Sequence, residues 1–151
     1  SDVSAIRTSA VRDGEDYVVR GSKTFITSGM RGDYFTVAVR TGGPGIDGVS
    51  LLLIEADRPG FARTELKKMG WWASDTATLY FDDVRVPAAN LLGEENRGFR
   101  LIMNNFNSER LGMAAGANMN ARVALEEALA YARERHTFGQ RLADHQVIRH
   151  K

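Results

Sequence analysis

The sequence has no cysteine. Disulfides, thiolate nucleophiles and Cys-based metal sites are excluded, the chain suits a reducing compartment, and any redox chemistry has to come from a bound cofactor. An excess of one charge is missing too: twenty Lys and Arg face nineteen Asp and Glu, for a formal net charge of +1. No overall field then draws the chain to nucleic acid or an acidic membrane, and an anionic ligand must be held locally. Long apolar runs are absent; Val49–Ile54, among the longest, falls far short of the roughly 20 residues of a bilayer-spanning helix. Of the three histidines, His145 and His150 stand five apart, off one helical face and without an acidic cluster, so no metal site is expected. No signal or transit segment is legible. Hydrophobic residues at 43% and charged residues at 26% are those of an ordinary globular chain, and 151 residues suffice for one domain or for a small domain plus part of a second.

Two halves with different grammar predict an α+β chain: an antiparallel β-barrel or sandwich domain over residues 1–90, followed by a truncated α-helical bundle over 91–151. The first half alternates turn signals with short β-type runs. Arg12-Asp13-Gly14-Glu15 marks a hairpin between Ile6–Val11 and Tyr17-Val18-Val19. Tyr34–Arg40 alternates, with Phe35, Val37 and Val39 expected on a core face. Thr41–Gly48, with four glycines and a proline, reads as a flexible hairpin loop. It is a poor phosphate cradle, since a strand follows it and no Gly-Lys-Ser/Thr does. Leu79–Phe81 and Val84–Val86 complete the β part, and Pro87 closes it.

The second half is helical. From Gly98 to about Arg135 there is no proline, and Phe99, Ile102, Met103, Phe106, Met113 and Ala117 recur at three- and four-residue steps. So long a helix needs neighbours along its length, and Gly112 and Gly116 within it predict close approach by another helix or a ligand. A break is expected at the glycine of His136-Thr137-Phe138-Gly139-Gln140, with Asp144 capping a second helix. The chain begins as if within a loop and stops inside an apolar-periodic segment, and so reads as incomplete at both ends.

Four motifs, in order, resemble the acyl-CoA dehydrogenase family. Tyr17–Gly29, containing Lys23-Thr24-Phe25-Ile26-Thr27, is similar to the stretch that carries the middle-domain strand to the flavin. Met69-Gly70-Trp71-Trp72-Ala73-Ser74-Asp75-Thr76 and Phe81-Asp82-Asp83-Val84-Arg85-Val86-Pro87 are similar to the segments ending that domain. Arg135-His136-Thr137-Phe138-Gly139 and the later His145-Gln146 resemble the family's Arg-x-x-Phe-Gly turn and its His-Gln pair. The resemblance covers nearly the whole chain. It implies an FAD enzyme of fatty acid metabolism that oxidises the Cα–Cβ bond of acyl-CoA thioesters and passes electrons to an electron-transfer flavoprotein. It further implies a homo-oligomer, dimer or homotetramer, cytoplasmic in a bacterium or in the mitochondrial matrix of a eukaryote.

Site residues follow from the same resemblance. A flavin ring needs a flat surface and polar partners at its edge; Phe25 and Thr27, two apart on an extended run and so on one face, match those roles, although many relatives carry Trp at the position of Phe25. An ordinary β-core pair is the competing reading. Ser1 matches a serine that contacts flavin and acyl-CoA. Arg135 and Phe138 match residues that reach the FAD of a neighbouring subunit, where a guanidinium suits pyrophosphate oxygens; the alternative for Arg135 is a simple offset of the helix dipole. His145 and Gln146 carry over in the same way.

The implied chemistry takes an α-proton from the thioester while the β-hydrogen leaves as hydride to flavin, which calls for one carboxylate. Glu109 lies on the apolar stripe, three after Phe106 and four before Met113, where desolvation raises a carboxyl pKa. Glu109-Arg110-Leu111 and its distance along the chain from Arg135 resemble the long-chain and isovaleryl branches. Other branches place the base on a later loop outside this chain. Arg110 resembles an Arg that seats the CoA moiety; Asn107 stands where the medium-chain branch has an acidic residue; Phe106 and Met113 would line the acyl pocket or serve as plain bundle core. Two rival readings remain: a same-fold acyl-CoA oxidase, and a non-catalytic fragment that only self-associates.

Overall fold

A computed structural model describes residues 2–151, which form two compact units, one ending at Met103 and the other spanning Asn104–Lys151. The first holds seven strands: β1 (Ser9–Asp13), β2 (Asp16–Thr27), β3 (Tyr34–Arg40), β4 (Val49–Glu55), β5 (Phe61–Glu65), β6 (Thr76–Pro87) and β7 (Leu91–Leu92). They make one open, mixed sheet in the order β5-β6-β2-β1-β3-β4-β7. All pairings are antiparallel except a single parallel bridge, Ser9 to Arg40, between β1 and β3. The sheet curls over on itself. Phe61 of β5 stacks on Phe35 of β3 with centroids 5.6 Å apart, although β6, β2 and β1 lie between those strands in the sheet. The concave side encloses Val19, Val37, Val39, Leu52, Ile54, Leu79, Phe81, Val84 and Val86.

The β1–β2 hairpin turns at Gly14-Glu15, with Asp13 opposite Asp16 and Gly14 at φ 61, as the turn signal predicts. Strand β1 starts at Ser9 rather than Ile6. The Ile6 carbonyl is taken by the Arg40 guanidinium at 3.1 Å, and Val3–Ala5 form a 3-10 turn capped by Asp2. Arg40 also donates to the carbonyls of Ser4 at 2.6 Å, Gly43 at 2.8 Å and Gly45 at 2.7 Å. The glycine-rich Thr41–Gly48 segment is thus wrapped around one cation, which replaces the strand ladder those carbonyls lack.

Strand β6 is continuous where two runs were expected. The register passes from Val19↔Val84 to Gly21↔Phe81, so β6 carries one extra residue. Asp83, at φ 52, absorbs this bulge and pairs with Arg20.

At the sheet edge Arg58 bonds the Glu55 carboxylate, which also accepts from Asn90 Nδ2 at 3.3 Å. The guanidinium holds the Glu55 carboxyl down at about 2. A carboxylate whose folded pKa lies below its unfolded value stabilises the fold fully above the unfolded value, near 4.3. That contribution is lost as pH falls from there toward 2. Denaturation curves from pH 7 to 2 are expected to show a smaller acid loss of stability for Glu55→Gln than for the wild type; parallel acid arms would remove Glu55 from the account.

In the second unit, helix α1 (Gly98–Glu134, begun in the first) continues into two-residue strands β8 (His136–Thr137) and β9 (Gln140–Arg141) and a short helix α2 (Gln146–Arg149). Over its 37 residues α1 is about 55 Å long. It ends at Glu134, before the glycine that was expected to break it. Phe138 and Gly139, at φ 51 and 81, instead form the two-residue turn of the β8–β9 hairpin, a geometry that requires positive φ at both positions. Asp144 does not cap α2: its carboxylate pairs with Arg141 at 2.9 Å, and His145 precedes the helix without a side-chain cap. Among the described residues nothing lies within 4 Å of a Cβ built on Gly112 or Gly116, so they do not make the close approach expected there. No helix among the described residues is long and apolar enough to cross a membrane.

Candidate functional site

In the first unit the candidate residues lie at the far end of β2. Opposite β6 the register runs Lys23↔Leu79 and then Ile26↔Ala77, which inserts one extra residue into β2. Phe25 sits in this bulge at φ 62, a conformation costly for a bulky side chain. Its ring is 79% exposed. Ile26 packs on the core, and Thr27, backbone-paired with Thr76, is exposed again. The alternation argument for Phe25 and Thr27 presumes a regular strand, and the bulge breaks that regularity. Both side chains nonetheless face away from the core, so the competing reading of a buried β pair fails. Lys23, opposite Leu79, is half-buried, and desolvation lowers its ammonium to about 8. Ser1 lies outside the described residues.

The turn after Thr27 is tied down from two sides. Asp75 accepts from Met30 N–H at 2.7 Å and pairs with Arg31 at 2.7 Å, while its carbonyl accepts from Ser28 N–H at 3.0 Å. From β5, Arg63 donates to the carbonyls of Gly29 at 3.2 Å and Gly32 at 3.0 Å. Neither Asp75 nor Arg63 carries a role in the motif reading. A second tethered loop follows β5: Lys68 Nζ donates to the carbonyls of Trp71, at 3.0 Å, and Ser74, leaving Trp71 at φ 55 and Met69, Trp71 and Trp72 exposed.

In the second unit Phe106, Glu109, Arg110 and Met113 fall within an arc of about 100° on α1, with Asn107 to one side. Phe106 is half-buried, and the Arg110 guanidinium lies 5.6 Å from its ring centroid. The Glu109 carboxylate accepts from Asn105 Nδ2 at 2.7 Å and is exposed. So is every residue from Asn107 to Tyr131. The poorly hydrated carboxylate expected on this stripe is therefore not made by the described residues, none of which covers the part of α1 that carries it.

Past the helix, Arg135 is exposed and its carbonyl accepts from Leu142 N–H at 2.6 Å. Phe138 projects from the hairpin tip, 99% exposed. His145 is spent on that hairpin. Its Nε2 lies 3.2 Å from the Thr137 carbonyl, which can only accept, and Nδ1 lies 3.1 Å from the Gln140 amide nitrogen, which can only donate. These partners select the Nε2–H tautomer. The ring also meets Phe138 edge-on at 6.3 Å. Gln146, the next residue, is exposed.

Residues 1–84 match the family described as acyl-CoA dehydrogenase, middle domain, and residues 96–151 match acyl-CoA dehydrogenase, C-terminal domain. The chain belongs to the acyl-CoA dehydrogenase family. Cyclohexane-1-carbonyl-CoA dehydrogenase of Geobacter metallireducens is 48% identical over 149 residues, which are 98% of this chain and 39% of that protein. The crystal structure of a probable acyl-CoA dehydrogenase from Mycobacterium abscessus superposes with a TM-score of 0.95 at 59% identity, over 99% of this chain and 40% of that one. A glutaryl-CoA dehydrogenase from Mycobacterium smegmatis, solved in complex with FADH2, has a TM-score of 0.86 at 35% identity, over 97% of this chain and 37% of that one. The chain thus spans about two fifths of the length of these acyl-CoA dehydrogenase relatives.

Proposed function

We propose that this chain supplies the flavin platform and one wall of the substrate pocket of an FAD-dependent acyl-CoA dehydrogenase, with residues 1–90 as the middle domain and 91–151 as the first part of the helical domain. The observation that carries the reading is the exposure of Phe25 and Thr27 at a bulged, tethered strand end. Burying either side chain in the core would be the cheaper use of it, and a free aromatic face beside exposed polar groups suits a flat, polar-edged ring. The relative crystallised with FADH2 supports the same cofactor. When bound, FAD supplies the hydride acceptor.

The chain's own residues divide the remaining work. Phe25 offers its ring face and Thr27 its polar groups to the flavin; Ser1 is a further contact to flavin and substrate. Arg135, Phe138 and Gln146 form a second flavin contact directed at a neighbouring subunit, with His145 bracing it. Glu109 takes the α-proton, and Arg110, held over Phe106, presents its charge to the CoA moiety. Asn107 and Met113 complete the substrate side. Helix α1 is exposed all round from Asn107 to Tyr131 and leaves Leu111, Met113 and Leu125 uncovered, which supports assembly into a dimer or tetramer, since so much apolar surface is stable only when buried. An electron-transfer flavoprotein is the expected electron acceptor.

Full-length protein carrying this chain is expected to purify yellow and to lose its visible flavin absorbance when acyl-CoA is added anaerobically. Rapid reoxidation by O2 would move the reading to an acyl-CoA oxidase. A colourless oligomer unaffected by any acyl-CoA would contradict it.

A further inference from the structure

The five residues after Thr27 are held more tightly than a surface turn requires. Ser28 stands at φ 58, outside the usual range for a residue with a side chain. Gly29 packs so closely on β6 that an added Cβ would lie 2.5 Å from the Ala77 Cβ. Two separate chain segments then converge on this turn. The Ser74-Asp75-Thr76 segment brings a carboxylate to Met30 N–H and Arg31, strand β5 brings Arg63 to the carbonyls of Gly29 and Gly32, and the Asp75 carbonyl takes Ser28 N–H. The Asp75 side chain is only 17% exposed, so its bond to Met30 N–H is largely shielded from water.

None of these groups belongs to the apolar core, and the turn they secure carries no large buried side chain, Met30 being only partly buried against the core. What it does terminate is the bulged stretch that turns Phe25 and Thr27 outward. A bulge with a positive-φ phenylalanine persists only where its surroundings over-determine it, and the tethered turn begins at the residue after Thr27.

We propose that Asp75 and Arg63 are positioning residues for the flavin platform: they fix the Ser28–Gly32 turn and through it hold Phe25 and Thr27 in the conformation that receives the isoalloxazine ring. This rests on the flavin reading above. It assigns a reason for the Ser-Asp-Thr motif to accompany the Phe25–Thr27 strand although the two stand far apart in sequence.

The test uses full-length protein and three readouts: FAD dissociation constant, shape of the bound flavin's visible spectrum, and thermal midpoint. Asp75→Ala is expected to weaken FAD binding about tenfold and to alter the spectrum. Asp75→Asn keeps an oxygen for Met30 N–H and is expected to stay within about threefold of wild type. Arg63→Met reports the same function independently and carries the test if Asp75→Ala does not fold; it is also expected to lose about tenfold in FAD affinity. Wild-type affinity and spectrum in both Asp75→Ala and Arg63→Met, even with a lowered thermal midpoint, would reduce both residues to fold stability and overturn the proposal. So would an Asn variant as weak as the Ala variant, because the Met30 tether would then not be the operative one. A wild-type protein that binds no FAD would instead remove the flavin reading itself, and the proposal with it.

Discussion

Replacing Glu109 by Gln in the full-length protein is expected to lower turnover by about 10²–10⁴-fold, the contribution of a positioned general base, while FAD stays bound. Gln is nearly isosteric and keeps an Oε1 acceptor for Asn105 Nδ2, so the helix should be undisturbed. What it lacks is any ability to take a proton. The expected signature is a yellow protein whose flavin is no longer reduced by acyl-CoA at a useful rate. In the isolated chain the carboxylate is exposed, and the proposed role requires this part of α1 to be covered in the full-length protein. Full turnover in the variant would place the base elsewhere, and steady-state kinetics with flavin absorbance decides between the outcomes.

Leu52→Ala is expected to be the most damaging single change to the platform. Leu52 is 0% exposed, midway along β4, paired with Val37 on one side and Leu91 on the other. A Leu-to-Ala cavity in a close-packed core costs about 2–5 kcal/mol. For a domain of roughly 100 residues that lowers the thermal midpoint by about 10–30 °C. Leu111→Ala, on the exposed stretch of α1 where Leu111 is 74% exposed, is the contrasting change: within this chain it removes almost no contact. A loss below about 1 kcal/mol for Leu52→Ala in denaturant titration would mean that the curled sheet is not held by the cluster on its concave side.

Much of this architecture was legible because its signals are local. The alternation of Tyr34–Arg40 puts Phe35, Val37 and Val39 in the core, Gly14 turns the first hairpin, and proline-free periodicity carries α1 to within a residue of its observed end. What escaped depends on partners distant in sequence. Strand β5, Phe61–Glu65, shows little alternation and is recruited by pairing with β6 and by the Phe35–Phe61 stack. The bulges at Phe25 and Asp83 put side-chain-bearing residues at positive φ, where no residue preference announces them. Arg40, read only as the end of a strand, ties the glycine loop to the Ser4–Ile6 segment through four carbonyls, two from each, that carry no side-chain signal.

The candidate site divides along the same line. Its motifs were readable as strings, which is why Phe25, Thr27, Glu109 and Arg135 could be named at all. Their surroundings were not. Exposure of Phe25 follows from a bulge, hydration of Glu109 from the lack of cover over a helix face, and the commitment of both His145 nitrogens from a hairpin that folds back on Thr137 and Gln140. Asp75 lies within a recognised motif, but its contacts with Met30 N–H and Arg31, 45 and 44 residues earlier, exist only in the folded chain.

The central claim is that an outward-facing aromatic on the β platform and a carboxylate on α1 serve one reaction. A crystal structure of the full-length protein with FAD and an acyl-CoA thioester tests it most directly. The account predicts the isoalloxazine ring against Phe25 and Thr27, and the Glu109 carboxylate, shielded from water, about 2.6–3.2 Å from the substrate's α-carbon proton donor position. A flavin seated away from Phe25, or Glu109 in bulk solvent with another carboxylate beside that carbon, would contradict it.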